Sequence, residues 1–184
     1  RQRQMCIRDR NNVLKNLTNF NLVSADLSLD MDMSFLPGKN KISSATIHNF
    51  QIGLNKMHGS VKLGENGIYH AKFFGPHLNI NQIMSDTLHS KELQEPYFIE
   101  AHFDDVFLWD LPPIKKTALT IKNFGQYKSN MKLSGNVGNK PLKISSWLND
   151  EVREFRLSAR DAGQILQGFE TVSYTHLTLP TIAK

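Results

Sequence analysis

The side chains able to do chemistry are few and scattered. Asp26, Asp30 and Asp32 share one parity along Asp26–Phe35, so in a strand their carboxylates lie on one face, where a Ca²⁺ ion could be held. A solvated outer face accounts for them equally well, and hard-cation sites normally converge oxygens from a loop. Asp104, Asp105 and Asp110 are the one acidic group that could divide into acid and base, but adjacent strand residues point to opposite faces. His48, His58, His70, His77, His89 and His102 show no HxH or HExxH spacing, so packing on a strand face is the simpler reading. Trp109 and Trp147 could offer a platform for a sugar, or line a core or groove. There is no GxSxG, GxGxxG or P-loop, hence no sign of a nucleophile elbow or phosphate cradle. We assign no catalytic residue, no metal site and no cofactor.

The lone cysteine, Cys6, belongs to a segment that does not read as protein-derived. Residues 1–9, RQRQMCIRD, back-translate to CGG CAG CGT CAG ATG TGT ATA AGA GAC. The reverse complement of that stretch encodes VSYTHLTLP, the sequence of Val172–Pro180. Inverted complements at both ends look like a sequencing adapter translated at each end of a DNA insert, so residues 1–10 and 171–184 are set aside as adapter artefact, with Thr171 at the junction. Removing Arg1, Arg3, Arg8, Arg10 and Lys184 takes Lys+Arg from 22 to 17, and removing Asp9 takes Asp+Glu from 17 to 16. The remaining net charge of +1 gives no electrostatic case for nucleic acid. Without Cys6 the insert has no thiol chemistry or disulfide, and no apolar run approaches the ~20 residues of a membrane span.

The insert itself is written in period two. Leu27, Leu29, Met31, Met33 and Phe35 alternate strictly with polar residues, giving a strand with one apolar face. Pro37-Gly38-Lys39-Asn40 is a turn. Ile42–Leu54 returns as a strand whose phase slips between Ile47 and Phe50, the mark of a bulge. Short strands follow around Val61, around Tyr69–Phe73 (ended by Gly75-Pro76), and around Leu78 and Ile80. Ser85–Pro96 reads as a polar loop. Tyr97, Ile99, Ala101 and Phe103 alternate on the next strand, which Trp109–Pro113 ends. Thr117–Phe124, Tyr127–Val137, Leu142–Leu148 and Val152–Ala159 complete the set. Asp161 can cap a short helix near 162–169, with Gln164 three residues on. Thr46–Phe50 matches Thr120–Phe124, and Gln82-Ile83-Met84 matches Gln164-Ile165-Leu166. The fold expected is mainly β: an antiparallel meander in two repeats, 11–84 and 97–170, joined by the 85–96 loop.

The ending Phe155–Gly168, with its Asp161-Ala162-Gly163 segment, resembles the AsmA-like family in its YhdP-type branch. Ile99–Leu108, Thr117–Phe124 and His77–Met84 resemble upstream family segments, with Asn79 where the family's acid usually stands. The resemblance covers roughly Ser24 to Phe169. It implies a twisted sheet curled into an apolar groove, in envelope proteins that are anchored in the inner membrane and reach across the periplasm. It further implies bulk passage of phospholipid between the two membranes, with acyl chains as partners, and no catalytic residues. The expected groove lining is Leu27, Leu29, Met31, Met33 and Phe35 with Tyr97, Ile99, Ala101 and Phe103. From the residues alone a closed β-sandwich or barrel, acting as a binding or structural envelope module, stays open beside it; hydrolysis has no positive sign.

Overall fold

Alternating apolar residues make strands, and where the alternation slips the strands bulge rather than break. A computed structural model of the chain describes residues 5–8, 14–39, 41–81, 95–108, 111–124, 129–149 and 152–160. Its elements are β1 (Met5–Arg8), β2 (Leu14–Val23), β3 (Leu27–Phe35), β4 (Ile42–Ile52), β5 (Asn55–Leu63) and β6 (Tyr69–Asn79). They continue with β7 (Tyr97–Phe107), β8 (Ile114–Asn123), β9 (Ser129–Val137), β10 (Lys140–Asn149) and β11 (Val152–Ala159). All eleven form one sheet in sequence order, with β1 and β11 at opposite edges. The chain is therefore mainly β, as expected, and the sheet is not closed into a barrel. No second layer lies over it among the described residues.

Two expectations are corrected. The meander is not antiparallel throughout: β6 and β7 pair in parallel, from Tyr69↔Tyr97 to Asn79↔Phe107, while every other neighbouring pair is antiparallel. A parallel pair needs a crossover long enough to carry the chain back, and the segment between Asn79 and Tyr97 provides it. The result is two successive runs of five strands, β2–β6 and β7–β11, that start in the same direction. In consequence Thr46–Phe50 and Thr120–Asn123 lie on strands of opposite direction. The second correction concerns Gly75-Pro76, which does not end a strand. β6 runs through it, because Pro76 falls where the register with both β5 and β7 skips a residue, and its missing N–H costs no ladder bond. The expected helix near 162–169 and the Gln82–Met84 turn lie outside the described residues.

The slip between Ile47 and Phe50 is a bulge, as read from the sequence. Others stand beside it: Leu17/Phe20 in β2, Lys56/His58 against β6, and Lys115/Ala118 in β8. Asn19 and Lys116 sit at these slips with φ of 55° and 51°, a region few non-glycine residues occupy. Bulges bend and twist a sheet, and a line of them crossing successive strands coils it. Burial is deepest in the second run. Leu78, Ala101, Phe103, Val106, Leu108, Leu111, Ile114, Leu119, Leu133, Val137, Leu142 and Ile144 form one buried cluster. Leu108 and Leu111, in the β7–β8 connection, fold onto it, and the Leu111 N–H donates to the Leu108 carbonyl.

Candidate functional site

The registers fix which side chains share a face. One row runs straight across ten strands: Leu17, Met33, Ala45, Val61, Ala71, Ile99, Ile121, Met131, Ser146 and Phe155. The next, two residues along, is Phe20, Met31, Ile47, Gly59, Phe73, Ala101, Leu119, Leu133, Ile144 and Leu157. Across strands ~4.8 Å apart these rows are about 43 Å long. Only Gly59 and Ser146 interrupt their apolar character. At Gly59 the Phe73 ring occupies the place a side chain would take, and a Cβ there would also strike the Lys72 carbonyl. The opposite face carries Asp32, Thr46, Ser60, Lys72, Glu100, Thr120, Lys132, Ser145 and Arg156 in the row between them. From β3 to β11 the sheet thus has one apolar side and one mainly polar side, on which Phe74, Phe98 and Trp147 also stand.

The expected lining residues lie on the apolar side, but not in equal environments. Leu27, Leu29, Met31, Met33 and Phe35 are all half-buried, as is every residue of β3. Tyr97 and Ile99 are half-buried, whereas Ala101 and Phe103 are 3% and 4% exposed and belong to the packed cluster. Sequence reasoning assigned no strand to β2, so it missed Leu17, Phe20 and Leu22. Toward the edges the apolar side opens: Leu22 is 44%, Leu157 42% and Phe155 66% exposed.

Most ionisable groups lie on the polar side, while Tyr69 and Tyr97 share the face of Ala71 and Ile99. The Asp32 carboxylate accepts from the Asn19 N–H at 2.7 Å and contacts His48 Nε2 at 2.9 Å, tying β2, β3 and β4 together at their bulges. These two hydrogen bonds, His48 first, hold the Asp32 carboxyl below the ordinary carboxylate range. Lys41 Nζ bonds Glu95 Oε1 at 2.9 Å, which raises the lysine, and burial pushes the Tyr69 phenol up. His58, Phe74 and His102 stack across β5, β6 and β7 with centroids 5.8 and 5.7 Å apart. They wall a cleft of about 490 Å³ that Asp104 and Lys116 also line. Among the described residues no group of His, Cys, Asp and Glu is placed to hold a metal ion, and no helix is long and apolar enough to cross a membrane. The sequence matches no protein-family model, and neither the curated proteins nor the solved structures include a match to this chain.

Proposed function

We propose that the chain is a segment of an AsmA-like, YhdP-type envelope protein that conducts phospholipid between inner and outer membranes along the apolar side of its sheet. The observation that carries this reading is the pair of continuous apolar rows on one face of a single open sheet. Acyl chains laid on the half-buried part of the rows would meet Leu17, Phe20, Met31, Met33, Ile47 and Val61, each buried methylene contributing about 0.8 kcal/mol. Similar contacts along the row let a chain slide without a deep trap, and unbranched Met adapts to a moving ligand. No catalytic step is required. In this reading the full-length protein is periplasmic and held to the inner membrane by an anchor.

The test is photocrosslinking in cells from positions 31 and 33, with positions 30 and 32 as opposite-face controls. Phospholipid adducts at the first pair alone are expected. Equal labelling of both faces, or none at either, overturns the reading.

A further inference from the structure

The polar side is not uniform. Within β8, β9 and β10 there is not one acidic residue, and the polar face of these strands carries Lys115, Lys122, Lys132 and Lys143, all exposed. Among the described residues none of the four makes an ion pair. Of the three acids on neighbouring β7, Glu100 pairs with Lys72 at 3.2 Å, Asp105, which stands opposite Lys115, lies 3.6 Å from His77, and Asp104 lines the cleft beside Lys116. The registers place Lys122, Lys132 and Lys143 on a diagonal, one strand across and one row down at each step, about 8 Å apart for ordinary sheet spacings. On β8–β11 their cross-strand neighbours are the small hydrogen-bonding Asn130, Thr120, Ser145, Ser134 and Ser158; on β7, Lys122 faces Phe98, and its Nζ lies 5.2 Å from the centre of that ring. The other face of the same strands is the best-packed part of the molecule, so the lysines stand on a rigid support.

We infer that the polar face of β8–β10 is a docking surface for the anionic phospholipid headgroups of a bilayer. The charge complementarity is one-sided and dense although the insert as a whole is nearly neutral. Lysine, a flexible point charge, suits a diffuse layer of phosphates, whereas nucleic-acid reading relies on the planar fork of arginine and on stacking platforms. No arginine lies in these strands, and Trp147 is their only aromatic residue. The inference does not depend on the groove reading, since it concerns the opposite face.

The experiment is co-sedimentation of the whole chain with vesicles of phosphatidylglycerol and phosphatidylcholine, or of phosphatidylcholine alone. The wild-type chain is expected to bind only the former, less so as salt rises. Each lysine removed weakens partitioning about fivefold, so Lys122→Gln/Lys132→Gln/Lys143→Gln loses about 100-fold. The control Lys15→Gln/Lys39→Gln/Lys56→Gln changes net charge equally and keeps most of the binding. Equal losses in the two triple variants, equal binding to neutral vesicles, or preferential binding of duplex DNA over anionic vesicles each overturn the inference. Photocrosslinking from position 33 in the Lys122→Gln/Lys132→Gln/Lys143→Gln chain, whose substitutions lie on the opposite face, reads the groove by itself, so failure of the groove and failure of this surface are told apart.

Discussion

The strands β3–β5 and β7–β10 are built from the same alternation and end in different states. On β3 every residue, apolar or polar, is half-buried, so Met31 and Met33 keep contact with solvent or with whatever lies in the groove. On β7, β8 and β10 the inward residues reach full burial, with Val106 and Ile114 at 0% and Leu142 at 1% exposed. Hydrophobic patterning does not distinguish the two. The difference lies in cover: Leu108 and Leu111 join the buried cluster of the second region, and no residue of β3 belongs to it. The same type of strand is a core element in one place and an open wall in the other.

The largest effect that would break this comparison comes from burying a charge. Leu142→Asp is expected to cost about 4 kcal/mol or to prevent folding, because its carboxylate finds no partner in the cluster. Met31→Asp in the open region costs about 1 kcal/mol while blocking lipid labelling. Urea denaturation of the two variants reads the contrast, and equal losses would mean that β3 is core as well. Next comes Phe103→Ala, about 3 kcal/mol by loss of a packed ring, against less than about 1.5 kcal/mol for Met33→Ala. A backbone counterpart is Gly75→Ala. A Cβ at position 75 meets the Lys56 carbonyl and lies 3.0 Å from the Phe103 ring, so the bulge must shift and thermal unfolding moves down by several degrees.

Smaller still is the effect of pH on the β2–β3–β4 clamp. Asp32 is lowered in the folded chain, so its contribution is present above the ordinary carboxylate value of about 3.9 and fades as pH falls through the folded value. Hydrogen exchange at the Asn19 amide should accelerate in that acid window, and Asp32→Asn should abolish the pH dependence. The smallest effect is expected on deleting residues 1–10. β1 is an edge strand bonded only to β2, and its removal changes stability by about 0.5 kcal/mol or less.

Much of this architecture is legible in the residues. The strict alternation of Leu27–Phe35 defines β3 to the residue, and the Ile47/Phe50 slip announces its bulge. What was not legible has physical reasons. In β2 the bulge at Asn19 sets Leu17 and Phe20 three apart, which mimics a helical spacing and hides the strand. Gly75-Pro76 looks like a terminator because a strand proline normally loses a ladder bond, and only the register shows that none was there to lose. The direction of β7 is not written in its own residues, since a strand has the same alternation whichever way it runs. Likewise Ala101 and Phe103 share the pattern of Tyr97 and Ile99, and only the fold separates packed from open positions.

The parallel join between β6 and β7 has a consequence for reach. Five strands is an odd number, so an antiparallel hairpin at that point would have started the next run in the reverse sense. The parallel seam cancels the reversal: the second run starts with the same polarity as the first and turns the same side inward. A unit of this kind can be copied in tandem without redesign, each copy lengthening the track by about 24 Å at ~4.8 Å per strand. Duplication then changes how far the apolar surface extends and leaves its local affinity untouched, so distance becomes a matter of counting units.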